Sequence, residues 1–199
     1  MQTIRYELDA DGIATLTFDE PGSPVNTMTA QWQADFGAGV AQVLADKERI
    51  KGVLLKIEPM MAGWAKVEEL RDSIVDFKKS GKFVIAYSEY MGEKEYALAL
   101  AADSIIMPKD APFEFNGLAS EVSHYPGLLE KLGIEVQYFR YGKYKSVSGE
   151  SFGRKALTEP VKEMITENLQ TTFAHFVGAV AQYRKLDVEQ VKRDVTQKG

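Results

Sequence analysis

The hydrophobic positions of this chain change period repeatedly, from two to about three and a half and back again, and that change divides it into strands and helices. Residues 3–8 and 13–19 alternate apolar and polar side chains on either side of Asp9-Ala10-Asp11-Gly12, whose Asp-Gly step marks a β-hairpin. Pro21-Gly22-Ser23-Pro24 reads as a turn. Trp32, Phe36, Val40, Val43 and Leu44 then recur at helical spacing, predicting a helix over 27–45. The unbroken run 52–58 (GVLLKIE) reads as a strand buried on both faces. An amphipathic helix over 64–79 is stopped by Ser80-Gly81. Residues 83–87 form a second buried strand, 94–102 a close-packed helix rich in alanine and leucine, and 104–107 a short strand closed by Pro108.

Beyond Phe113 the pattern weakens to short strands, a helix over 126–132 with proline in its first turn, and a strand over 134–141. It strengthens again at 159–184. There Val161, Met164, Ile165, Leu169, Phe173, Phe176, Val177 and Val180 make one wide apolar stripe. Asp187 is placed to cap a last helix ending near 196. The β-α-β-α-β order implies parallel strands joined by right-handed crossovers, and the expectation is one α/β domain over residues 1–199.

Composition narrows the functional classes. The 199 residues are 45% hydrophobic and 27% charged, which is ordinary for a globular protein. A net charge of −5 supplies no basic field to draw nucleic acid. The absence of cysteine removes disulfide, thiol and thiolate-metal chemistry, and two histidines, His124 and His175, make a zinc site an unattractive reading. No metal or cofactor is expected. No apolar run is long enough to span a bilayer, and the N-terminus reads as a polar strand rather than a signal peptide; the expectation is a cytoplasmic chain.

From about residue 57 to 199 the chain resembles the N-terminal domain of the SppA family, the membrane-associated signal peptide peptidases. The residues that carry the resemblance are Lys56-Ile57-Glu58-Pro59, Gly63-Trp64-Ala65-Lys66-Val67-Glu68-Glu69 and Asp76-Phe77-Lys78-Lys79-Ser80-Gly81-Lys82. They continue with Gly127-Leu128-Leu129-Glu130-Lys131-Leu132-Gly133-Ile134 and end in Gly142-Lys143-Tyr144-Lys145-Ser146. Residues 1–55 resemble instead the start of a crotonase of the enoyl-CoA hydratase family. That likeness rests on Gly12-Ile13-Ala14-Thr15-Leu16-Thr17-Phe18, Glu20-Pro21, Val25-Asn26-Thr27-Met28 and Arg49-Ile50-Lys51-Gly52-Val53-Leu54-Leu55. Both resemblances imply the ClpP/crotonase fold, a spiral of β-β-α units with C-terminal helices. Together they imply a composite chain joined near the strand 52–58, and a homo-oligomer, since both families oligomerise.

The SppA resemblance makes Lys145 the general base of a serine/lysine dyad with a peptide substrate. In that family the nucleophilic serine comes from a second, related domain. In that serine-bearing copy a Gly-Gly pair forms the oxyanion hole, where this chain has Met61 and Ala62; the nucleophile position corresponds to Lys94. A serine needs a base within reach and an oxyanion hole to be useful, so the chain alone is expected to be inactive. Ser88 and Ser146 are the nearest substitutes, and Ser146 reads better as support for Lys145. The alternative is a crotonase-type acyl-CoA-binding or hydratase-like protein. It is weakened by Pro59-Met60-Met61-Ala62-Gly63 standing where a crotonase places its first enolate-binding N–H, and by Glu93 and Glu95 reading as solvated charges at a helix N-terminus. Gly37 and Gly39 lack the strand-turn context of a dinucleotide fingerprint and read as helix packing. Tyr138, Phe139, Tyr141 and Tyr144 have the makings of a peptide-binding wall but fit core and interface positions better, and His175 fits a structural place on the long helix.

Overall fold

A computed structural model describes residues 3–18, 26–27 and 29–198. The turn expected at 21–24 lies outside the described residues. The chain separates into two compact units, Met1–Asn116 with Phe176–Gly199, and Gly117–His175.

The first unit is built on the period-two runs. β1 (Ile4–Leu8) and β2 (Ile13–Phe18) form the expected antiparallel hairpin. Asp9 closes its turn: the carboxylate accepts the backbone N–H of Asp11 and Ile13, at 3.0 and 2.8 Å, while Gly12 takes φ +80°, which a side chain would resist. β4 (Gly52–Lys56), β6 (Phe83–Tyr87) and β7 (Ser104–Ile106) add to β2 in parallel, giving the order β1-β2-β4-β6-β7. The register places Leu16 beside Leu55 and Leu55 beside Ala86. All three are buried, which is why β4 reads as a continuous apolar run. A second sheet, not anticipated, pairs β3 (Asn26–Thr27) with β5 (Met60–Met61); two residues are too few to carry a periodicity.

Three crossover helices follow the strands. α1 (Ala30–Ala45) starts where the Thr29 hydroxyl accepts the Trp32 N–H, and it buries Trp32, Gly39 and Val43. α2 (Trp64–Lys78) buries Val67 and Leu70, and Gly81 at φ +78° ends the turn after it. α3 (Glu93–Ala99) buries Ala97 and Leu98. The Lys78 ammonium bridges the Asp103 carboxylate at 2.7 Å and the Ala101 carbonyl at 2.9 Å, tying the end of α2 to the approach of β7. α6 (Glu159–Arg184) crosses the boundary between the units. Its last part brings Phe176, Val177 and Val180 into this core, where Phe176 meets Trp64 and Phe115. α7 (Val188–Lys198) buries Val191 and Val195, and Asp187 caps it as expected through the Gln190 N–H.

The second unit departs from the sequence reading. It holds α4 (Pro126–Lys131), α5 (Val147–Gly153) and the first part of α6, and no strand forms among its described residues. The strand expected over 134–141 is a stretch without regular secondary structure and without a ladder partner. The alternation is in the sequence and not in the burial: only Tyr138 is half-buried, its neighbours on both sides are exposed, and Phe139 and Tyr141 are each 97% exposed. Side-chain anchors stand in for a neighbouring strand. The Tyr138 ring lies so close to Gly149 and Gly153 on α5 that a Cβ at either glycine would strike it, and its hydroxyl accepts the Arg154 Nε–H at 3.0 Å. Helix α5 was not anticipated because its sequence, VSGESFG, carries two glycines and little apolar periodicity.

Candidate functional site

Lys145 sits in the second unit, in the turn that delivers the chain to α5. Gly142 opens the turn at φ +98°, and the Lys145 N–H reaches back to its carbonyl at 3.4 Å. Helix α5 begins immediately after Ser146, whose carbonyl accepts the N–H groups of Gly149 and Glu150. The Lys145 side chain is exposed, and among the described residues its ammonium has no hydrogen-bond or ion-pair partner. The other lysine of the motif is engaged. Lys143 Nζ donates to the Tyr144 hydroxyl at 2.9 Å and to Glu163 at 3.0 Å; those bonds hold its pKa above the usual lysine range, and Glu163 below the usual carboxylate range. The structure thus separates two lysines only two apart in sequence, one engaged by Tyr144 and Glu163 and the other exposed.

Beneath Lys145 lies a buried polar cluster that sequence reasoning missed. Ser146 is 1% exposed and Glu150 fully buried. The Ser146 hydroxyl donates to Glu150 Oε1 at 2.6 Å, the Thr158 hydroxyl to the same oxygen at 2.5 Å, and the Thr158 N–H to Oε2 at 2.8 Å. Arg140 Nη1 lies 3.5 Å from the Ser146 hydroxyl. Burial pushes the Glu150 carboxyl up, but the bonds from Ser146 and Thr158, with the charge of Arg154 nearby, outweigh it, so the group titrates below the ordinary carboxylate range. Thr158 precedes α6, so one carboxylate ties the lysine-bearing turn to the start of the long helix. The signal was legible in principle: Ser146 and Glu150 stand four apart, on one face of a helix.

Ser88, in the first unit, follows β6. It is fully buried and donates its hydroxyl to the Ile57 carbonyl at 2.7 Å, with the Tyr90 carbonyl as a second close partner. Neither candidate serine therefore presents a free hydroxyl. At the positions matched to an oxyanion pair, Met61 is 65% exposed and Ala62 buried. Lys94 is half-buried in the first turn of α3. Glu93 and Glu95 were expected to be solvated, and Glu95 is not: it is 5% exposed. Its carboxylate accepts the Met60 N–H at 2.7 Å and the Gly92 N–H at 3.2 Å, because the Gly92-x-x-Glu95 spacing lets it fold back over the helix start. Glu93, half-buried, accepts the Asn116 N–H.

The remaining candidates are structural or peripheral. His124 Nδ1 lies 2.8 Å from the Arg154 carbonyl, and His175 is exposed. Phe139 and Tyr141 project into solvent rather than into a core, and Tyr144 is 42% exposed. Gly39 packs against Leu16 and Ile4, as helix packing requires. Among the described residues no group of three or more His, Asp or Glu side chains is placed to hold a metal ion.

Residues 76–199 match the model of Peptidase family S49. The chain is 39% identical over 149 residues to the chloroplastic serine protease SPPA of Arabidopsis thaliana, covering 75% of this chain and 22% of that protein. It is 28% identical over 151 residues to Protease 4 of Haemophilus influenzae, covering 75% of this chain and 24% of that one. The chain thus spans about a quarter of the length of these two curated relatives. Among solved structures, an enoyl-CoA hydratase from Mycobacterium marinum aligns over 98% of this chain and 97% of that one, at a TM-score of 0.41 and 18% identity; a likeness of that degree carries no argument.

Proposed function

The chain belongs to peptidase family S49, and on that premise we propose that it is the lysine-bearing part of a serine/lysine peptidase, without a nucleophile of its own. Lys145 is the general base, and the serine it activates comes from outside these residues. One observation carries the reading: both serines near enough to be candidates, Ser88 and Ser146, are buried and donate their hydroxyls to other partners.

The chemistry follows from the placement. A neutral Lys145 amine would take the proton of a serine hydroxyl as that oxygen attacks a peptide carbonyl, then return it to the leaving amine. A lysine does this only when desolvation or a cationic neighbour favours its neutral form. Lys145 stands in solvent here, so the covering surface must arrive with the serine. Ser146 and Glu150 hold the backbone on which the amine is carried. The Met60 N–H, near the place of an oxyanion or enolate donor, is given to Glu95, which weighs equally against acyl transfer and against crotonase chemistry in this chain.

A composite chain, with a crotonase-like first part joined near the strand 52–58, rests on the sequence resemblance alone. A peptide substrate, assembly into a homo-oligomer and a cytoplasmic location belong to the same reading. Among the described residues no helix is long and apolar enough to cross a membrane. A fluorophosphonate probe with mass-spectrometric mapping tests the central point. No serine is expected to be labelled and casein to remain intact; labelling of Ser88 or Ser146, or cleavage lost on Lys145→Ala, would refute it.

A further inference from the structure

Right-handed crossovers place α1 and α2 on the same face of the sheet, and helices on neighbouring parallel strands ordinarily pack about 8–10 Å apart. Here they leave an open cleft of about 810 Å³ between them. Its floor is the sheet, through Leu16, Leu55 and Val84. Phe36, Val40 and Leu44 form the wall on α1, with Leu44 62% exposed; Leu70, Ile74 and Phe77 form the wall on α2. An apolar cleft of this size is uncommon on a protein that has nothing to bind.

The two walls differ in charge. α1 carries one charged residue in its sixteen, Asp35, which lies outside the cleft. α2 lines the cleft with Glu69 and Asp72, and with Glu68 and Asp76, which already have partners, Asp76 bridging Lys79 at 2.8 Å; among the described residues no lysine or arginine lines it. An occupant must therefore present an apolar face downward, an uncharged flank to α1 and cations to α2. Two copies docking cleft to cleft with α2 on α2 would set one acidic wall against the other, and a fatty carboxylate held beside α2 would meet the same repulsion.

We propose that this cleft receives an amphipathic α-helix of a partner protein, with its lysine or arginine flank lying along α2. A helix is the fitting shape because the cleft is a gap in a helical layer. A cylinder about 10 Å across, with apolar residues at i, i+3, i+4 and i+7, reaches the sheet between two existing helices. The inference is independent of the peptidase reading, since it uses neither Lys145 nor its turn.

The test is fluorescence anisotropy with the full chain and a labelled helical peptide of about 18 residues, leucine on one face and lysine along one flank, at about 0.15 M salt. Saturable binding is expected, weaker by about tenfold for a peptide with glutamate in place of lysine, and by a similar factor for Leu44→Asp. Asp72→Lys should flatten the salt dependence. Both substituted positions are exposed, and an unchanged thermal midpoint shows that each variant is folded. Equal binding of the two peptides, or indifference to Leu44→Asp, overturns the proposal. So does a concentration-dependent dimer, seen by sedimentation, that Leu44→Asp abolishes, because the occupant would then be a second copy.

Discussion

The sheet unit and the lysine unit treat a strand-like sequence in different ways. In the sheet, the inner strands lie between backbone neighbours: Leu55 of β4 is paired with Leu16 on one side and Ala86 on the other, and all three are buried. In the lysine unit, residues 134–138 alternate apolar and polar side chains in sequence, yet no backbone ladder receives them and only Tyr138 is half-buried. Their hold comes from Tyr138 against α5, and that of the following turn from the Ser146–Glu150–Thr158 cluster. Alternation in a sequence reports which side of a segment is available for burial. Whether a ladder exists depends on what lies beside it.

If polar anchoring dominates the lysine unit, Glu150→Ala should be the most damaging single change. It leaves three donors unsatisfied in a buried place, a loss of about 4 kcal/mol. Hydrogen exchange over Val147–Gly153 should quicken by about 10³, with β4 and β6 protected as before. Uniform acceleration through both units would show that they unfold together. In the sheet unit, Leu55→Ala removes a buried side chain that has neighbours on both sides, and urea denaturation should register a loss of about 3 kcal/mol. An effect below about 1 kcal/mol would mean that the core collapses around the gap.

Acid should separate the units next. The folded pKa of Glu150 is depressed, so its contribution is complete above the unfolded carboxyl range near pH 4.3 and is lost as pH falls through the folded value. Exchange protection in α5 should therefore fall as the pH drops below the ordinary carboxyl range, and this acid dependence should be smaller in Glu150→Gln. An identical profile in that variant would assign the acid sensitivity to other groups. The smallest effect belongs to the exposed face of 134–141. Phe139→Ser should alter stability by no more than about 0.5 kcal/mol, since the ring touches almost nothing. A larger loss by thermal melting would place Phe139 in a packed interface in solution.

The candidate site was legible in part. The motif Gly142-Lys143-Tyr144-Lys145-Ser146 singled out Lys145 and its adjacent serine, and the structure gives that serine a 2.6 Å bond to Glu150. Glu150 and Thr158 were passed over because each is unremarkable alone; they become one feature only when the chain turns between α5 and α6. Glu95 was misjudged for a related reason. A glutamate at a helix start is ordinarily solvated, and only the return of β5 beside α3 brings the Met60 N–H to it.

Period and punctuation were enough to predict the hairpin, the parallel core strands, the crossover helices, the long helix over 159–184 and the Asp187 cap, because each depends on interactions within a few residues or on one buried face. The pairing of β3 with β5, the unpaired state of 134–141, the cleft between α1 and α2 and the burial of Glu150 were decided by tertiary structure. Each of these turns on which distant backbone or side chain arrives alongside, and a one-dimensional pattern of polarity carries no record of that neighbour.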